Sequence, residues 1–189
     1  MAKVKSFLQV SLDGYFADEN SDIEWAHSTD DPEFNAFVAE NAQGGGTLLF
    51  GRVTYEMMVK YWPTPQAKKD APKVAEGMNR APKVVFSRTL EKSDWQNTKV
   101  VKGDLAKEVK KLKEDSDGDI TILGSASIVA QLAEEGLVDE FQFVVNPILL
   151  GEGRTMFAGT KGPFELELTE TRSFPNGVIV SSYAPSNGK

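Results

Sequence analysis

The 189-residue chain has no cysteine, which excludes disulfides, thiolate nucleophiles and cysteine-ligated zinc. Its one histidine, His27, excludes a multi-histidine metal centre as well, and no metal is expected. No run approaches the roughly 20 apolar residues of a membrane span, and Met1-Ala2-Lys3-Val4-Lys5 leads into a strand-like run rather than a signal segment. A cytoplasmic protein with no membrane partner is therefore expected. Positive charge is also in deficit. Against 28 Asp and Glu stand 21 Lys and Arg, a net charge of −7, and such a surface repels nucleic-acid phosphate. A small anionic ligand held by a local pair of arginines is still compatible with that balance.

Three apolar runs end in residues suited to a nucleotide phosphate. Leu48-Leu49-Phe50 leads into Gly51-Arg52-Val53-Thr54, Val84-Val85-Phe86 into Ser87-Arg88, and Ile120-Thr121-Ile122-Leu123 into Gly124-Ser125-Ala126-Ser127. Each reads as a buried strand, and two of them pass straight into a helix. Open α/β sheets bind ligands beyond the carboxyl ends of their strands, and helix N-termini offer free N–H groups to anions. Gly51 would let backbone approach a phosphate, Thr54 could hydrogen-bond it, and Arg52 could clamp it; a tight strand-to-helix turn with a surface arginine is the plainer alternative. Ser125 could equally be an ordinary N-cap. Neither GxGxxG nor a P-loop is present.

Around these runs the chain alternates strand and helix patterns. Strands are expected at Val4 to Val10, Thr47 to Phe50, Lys83 to Phe86, Val100-Val101, Ile120 to Leu123 and Phe141 to Val145. Helices are expected from Asp30-Asp31-Pro32, where Phe34, Phe37 and Val38 follow at helical spacing, and over Thr54 to Val59, about Lys69 to Met78, Leu105 to Leu112 and Ser125 to Glu134. Phe164, Leu166 and Leu168 alternate with polar residues, and Asn176-Gly177 suggests a type I′ turn before Val178 to Tyr183. The expectation is one α/β domain over 1–189: a mostly parallel sheet, flanking helices and a C-terminal antiparallel hairpin.

Ser11-Leu12-Asp13-Gly14, Phe50-Gly51-Arg52-Val53-Thr54, Phe86-Ser87-Arg88, Ile122-Leu123-Gly124-Ser125-Ala126 and Asn146-Pro147-Ile148-Leu149-Leu150-Gly151-Glu152-Gly153 occur in that order. As an ordered set they resemble the dihydrofolate reductase-like superfamily, and more closely the reductase domain of the bifunctional riboflavin-biosynthesis deaminase/reductase. The resemblance spans about Lys3 to Tyr183 and implies an NADPH-dependent reductase, commonly a homodimer, acting on a small planar pteridine- or pyrimidine-like substrate. It implies that Gly51, Arg52 and Thr54 hold the adenosine side of NADPH, with Ser87 and Arg88 nearest the 2′-phosphate. Gly124, Ser125, Ala126 and Ser127 would lie under the pyrophosphate, and Ser11, Asp13 and Gly14 near nicotinamide and substrate.

Trp25 followed by Asp30 keeps the spacing at which dihydrofolate reductases place a carboxylate on the pterin. Asp30 is thus either a proton relay or the cap of the helix entered at Pro32. Trp25 and Tyr55 are the aromatics expected to stack on the substrate, and His27 reads as a loop residue. A nucleotide- or pterin-binding protein without turnover is the alternative function.

Overall fold

The computed structural model describes residues 1–26 and 30–186. His27 lies outside the described residues. The strands are β1 (Val4–Ser11), β2 (Tyr15–Ala17), β3 (Thr47–Gly51), β4 (Lys83–Phe86), β5 (Thr98–Val101), β6 (Ile120–Leu123), β7 (Glu140–Asn146), β8 (Arg154–Thr155), β9 (Leu166–Ser173) and β10 (Ile179–Pro185). The helices are α1 (Pro32–Gln43), α2 (Arg52–Tyr61), α3 (Pro65–Asp70), α4 (Pro72–Arg80), α5 (Leu105–Asp115) and α6 (Ala126–Glu134), with a 3₁₀ turn at Glu24–Ala26.

Eight strands form one sheet in the order β5-β4-β3-β6-β1-β7-β10-β9, and β2 pairs with β8. The first six are mutually parallel, while β10 runs antiparallel to both its neighbours, β7 and β9. The apolar runs read as buried strands are buried: Leu49, Val85, Ile120 and Ile122 have no exposed surface. Leu8, Leu49, Ile120 and Ile122 meet Val109 of α5 and Val129 and Leu132 of α6 on one face. On the other face Phe50 and Val85 pack with Tyr55 of α2 and Met78 of α4, while Val144 and Val180 pack with Phe34 of α1.

Two local expectations are corrected. The helix expected over Lys69 to Met78 is two helices, because Pro72 inside one would lack an N–H and strike the carbonyl four residues back. Ala71 instead takes φ −141°, ψ 70°, and α4 restarts with Pro72 in its first turn. The hairpin turn is not type I′. Gly177 N donates to Phe174 O at 2.9 Å, placing Pro175 and Asn176 at the turn centre, and of the turn residues only Gly177 has positive φ (85°). Pro175 fixes a negative φ, which a type I′ turn does not accept.

The N-cap of α1 is Asp31, not Asp30. Its Oδ1 accepts from Glu33 N (2.9 Å) and Phe34 N (3.2 Å), and its Oδ2 accepts from Asn176 N (2.9 Å) in the hairpin turn. Phe34 meets Phe174 edge-on at 5.1 Å beside this clasp. One carboxylate thus fixes both the start of α1 and the far hairpin.

Candidate functional site

Strands β4, β3 and β6 are consecutive in the sheet, so the three phosphate-suited termini lie side by side at one edge. Register sets Gly51 opposite Phe86, one residue before Ser87. The two neighbours β3 and β6 send their helices to opposite faces: α2 packs with Phe50 and Val85, α6 with Leu49 and Ile122. A crevice opens where adjacent strands diverge in this way, and it is where open α/β sheets bind ligands.

The junction is stitched by Ser125. Its hydroxyl donates to Leu123 O (3.1 Å) and accepts from Gly51 N (3.0 Å), joining the ends of β6 and β3. The expected N-cap role is therefore corrected: Ser125 makes no side-chain bond to its own helix and sits in the left-handed region, φ 55°, ψ 56°. Its hydroxyl is occupied by the neighbouring strand. Gly124, at φ 53°, faces Thr54, and a Cβ there would stand in ordinary van der Waals contact, 3.6 Å from the Thr54 methyl. A larger residue there would fill the space between the two helix starts.

Neither helix at this crevice has a side-chain cap. Elsewhere Asp31 caps α1, Thr64 caps α3 and Asp104 caps α5, while α4, entered at Pro72, is also without a side-chain cap. At the start of α2 the N–H groups of Arg52, Val53 and Thr54 have no intrahelical acceptor, and at α6 the same holds for Ala126 and Ser127. Together they form a converging set of backbone donors with positive helix ends. Arg52 lies in the first turn of α2, where a cation is electrostatically misplaced, and its guanidinium bridges both oxygens of Glu56 at 2.9 Å. Arg88 is exposed and has no ion pair among the described residues. Ser87 is 9% exposed, and its hydroxyl accepts from Leu90 N (2.8 Å) and Thr89 N (3.2 Å), shaping the turn that presents Arg88.

The other expected site residues divide. Ser11 is buried at the end of β1, donating to Asp13 Oδ1 at 2.6 Å and accepting from Tyr15 N at 2.9 Å. Asp13 also accepts from Leu150 N (3.1 Å) and Gly151 N (2.8 Å), clasping the loop after β7. The bonds from Ser11 and Gly151 hold its carboxyl below the usual carboxylate range, although desolvation opposes them. Asp13 thus serves the loop scaffold, with Gly14 at φ 88° making the turn. Trp25 is half-buried, its indole N–H donating to Asp22 O at 3.2 Å. Asp30 is exposed.

Tyr55 lies in the core, under α2. It is 4% exposed, packs with Phe50, Met78 and Trp95, and its hydroxyl pairs with Ser93 at 2.5 Å. An aromatic three residues into a helix is brought under the helix when its face meets the sheet, and Tyr55 lies on that face.

Two residues receive no role in the sequence reading. Gln9 and Asn146 stand toward the carboxyl ends of β1 and β7, on the face that carries α1, and bond to each other at 2.9 Å. Asn146 is signalled as the opening residue of the Asn146 to Gly153 motif, and Gln9 only as a polar residue in an apolar strand.

The sheet order, the divergence at β3 and β6 and the paired helix starts define an α/β protein of the dihydrofolate reductase-like class. Residues 2–180 match the model of the RibD C-terminal domain. The chain belongs to that family and with it to a reductase family. A Bacillus subtilis (strain 168) protein, YyaP, described as uncharacterized, is 32% identical over 179 residues, covering 93% of this chain and 91% of that one. A candidate riboflavin biosynthesis protein from Shewanella sp. PV-4 superposes with TM-score 0.75 at 22% identity, covering 99% of this chain and 100% of that one. Dihydrofolate reductase from Enterococcus faecalis, solved with NADP(H), superposes with TM-score 0.65 at 15% identity, covering 98% and 97%. The last two show the fold.

Proposed function

We propose that this chain is an NADPH-dependent reductase that transfers hydride to a small planar pteridine- or pyrimidine-like substrate. The observation that carries the reading is the meeting of two uncapped helix N-termini at the β3/β6 crevice, with Arg52 at the start of α2 and Arg88 beyond the neighbouring strand β4. The crevice fits a dinucleotide. Its backbone donors suit a pyrophosphate, Gly124 leaves the gap beside Thr54 open, and two guanidinium groups flank one side for a 2′-phosphate.

When bound, the nicotinamide supplies the hydride. The N–H groups of Arg52, Val53, Thr54, Ala126 and Ser127 would orient the phosphates, and Thr54 could add a hydroxyl donor. Arg52 would turn from Glu56 toward the anion, and Arg88 would take the 2′-phosphate. Trp25 would cover the substrate. Asp30, exposed beside the start of α1, would pass a proton from solvent water to the reduced product. Exposure of Asp30 also favours the second reading, a binding protein on the same fold that does not turn over; NADPH consumption with planar acceptors separates the two.

Thermal unfolding tests the cofactor. At a hundred times Kd, NADPH should stabilise the protein by about 2.7 kcal/mol, roughly 5–10 °C for a chain of this size, with a smaller rise for NADH. No rise with either would end the reductase reading. A homodimer is part of the same proposal. On the face opposite α1, Val10, Phe143, Val145, Phe164, Leu166 and Tyr183 line an open, largely apolar groove, and Leu168 and Ile179 are 56% and 42% exposed. Light scattering should give twice the chain mass; a monomer at micromolar concentration would refute this.

A further inference from the structure

The turn joining β9 to β10 holds a reactive pair that the proposed reduction does not use. Asn176 precedes Gly177, and a glycine has no Cβ to shield its nitrogen from the side chain before it. Gly177 is exposed, at φ 85°. Asn176 Oδ1 accepts from Val178 N at 3.0 Å, which curls the side chain over the Gly177 peptide. Its Nδ2 is buried without a hydrogen-bond partner among the described residues. A buried amide nitrogen left unpaired raises the energy of the intact side chain. Asn187-Gly188 is the other such pair in the sequence and lies outside the described residues.

The same turn carries its own restraint. Gly177 N donates to Phe174 O at 2.9 Å, so its hydrogen is tied away from Asn176 Cγ. Asn176 N donates to Asp31 Oδ2, also at 2.9 Å. Pro147 packs behind the turn, its Cγ 3.3 Å from where a Gly177 Cβ would stand. Gly177 must rotate away from Phe174 before its nitrogen can reach the Asn176 side chain. The Asp31 carboxylate holds the residue about which that rotation turns, and so governs how often the turn opens.

We propose that Asn176 is a self-modification site, converted to aspartate and isoaspartate at a rate restrained by Asp31. Gly177 N attacks Asn176 Cγ, forming an N–C bond and losing its proton to water. The Val178 N–H stabilises the negative charge that gathers on Oδ1. The Cγ–Nδ2 bond then breaks, and Nδ2 takes up a proton and leaves as ammonia. Water opens the resulting cyclic imide at either carbonyl, which leaves aspartate or a backbone lengthened by a methylene. Both products place a new carboxylate beside Asp31, and like charges at that range repel. The clasp between the hairpin and the first turn of α1 is thereby released, next to Asp30. The proposal stands apart from the reductase reading.

Wild type, Asp31→Ser, Asp31→Asn and Asn176→Ser are incubated at mildly alkaline pH and sampled by tandem mass spectrometry. Cleavage after Arg172 releases residues 173–189, whose fragments separate Asn176 from Asn187. Serine caps a helix as well as aspartate does but is too short to hold Asn176 N, and asparagine keeps a neutral form of the contact. Conversion at Asn176 should appear in wild type and run about 10- to 100-fold faster in Asp31→Ser, with Asp31→Asn between them, because a charge-assisted hydrogen bond is lost or weakened. Asn176→Ser keeps a hydroxyl toward Val178 N and should be silent at 176, with Asn187 in the same peptide as the reference. Asn176→Asp, made directly, should lose hydrogen-exchange protection at the Glu33 and Phe34 amides that Asp31 caps. Melting curves establish that each variant is folded; if Asp31→Ser is not, Asp31→Asn decides. No conversion at Asn176 in wild type, equal rates in the folded Asp31 variants, or undiminished protection in Asn176→Asp would overturn the proposal.

Discussion

Arg88→Ala should weaken NADPH binding about 10- to 100-fold and leave NADH within roughly twofold, because charge-assisted hydrogen bonds contribute about 1.5–3 kcal/mol. Arg88 is exposed, unpaired among the described residues and presented by the buried Ser87 turn at the end of β4. The 2′-phosphate is the group by which the two cofactors differ, so a guanidinium that holds it discriminates between them. Arg52→Ala should act in the same direction but less, since Arg52 must first leave Glu56. Glu56→Gln should therefore tighten NADPH modestly. Equal losses for NADPH and NADH in Arg88→Ala would remove the phosphate role. Fluorescence titration of both cofactors against the two arginine variants measures all of this.

Lys83→Met should lower stability by about 2–4 kcal/mol at pH 7, roughly 4–16 °C in Tm. Lys83 is 1% exposed, and its ammonium donates to Ala81 O (2.7 Å), Met78 O (2.8 Å) and Asn79 O (3.1 Å), 4.6 Å from the centre of the Trp95 ring. Those carbonyls belong to the last turn of α4 and the residue after it, where a cation is favoured. Methionine fills similar space but strands the acceptors. Burial pushes the Lys83 pKa down to about 8 from 10.5. Between those values the unfolded chain holds a proton that the folded protein has released, so this group makes stability rise with pH across that window. Denaturant melts from pH 7.5 to 10.5 should show the rise in wild type and lose it in Lys83→Met. A parallel pH dependence in both proteins would contradict the assignment.

Lys83 shows where the sequence stops being informative. A lysine opening a strand reads as a surface charge, and only the docking of α4 and Trp95 over β4 turns it inward. Leu49, Val85 and Ile122 were legible because continuous apolar runs have few places to go except a covered parallel sheet. Gly51, Ser87 and Gly124 were legible as strand ends, but not their adjacency, which depends on strand order. Asp30 and Asp31 are indistinguishable as caps until the backbone fixes which carboxylate meets the N–H groups. Pro72 was a plain break signal given too little weight. Tyr55 reads as a stacking residue because an aromatic near a phosphate turn invites it, whereas its burial follows from the face of α2 it occupies, which only the docking of that helix reveals. Gln9 lay within a run read for its apolar members and Asn146 in a motif read as a whole, and their pairing joins positions 137 residues apart.

β1 occupies the middle of the sheet yet is synthesised well before both of the strands it pairs with. Its partners are β6 and β7, which begin at Ile120 and Glu140. During translation at about 5–20 residues per second, Phe7, Leu8 and Val10 therefore wait several seconds or longer with both strand edges open. Long-range pairing of this kind slows folding and leaves an apolar segment available to other nascent chains. Lys3 and Lys5 flank that segment and provide charges that discourage such encounters until β7 arrives. Yield in the cell should therefore respond more strongly to temperature and chaperone supply than equilibrium stability alone would suggest.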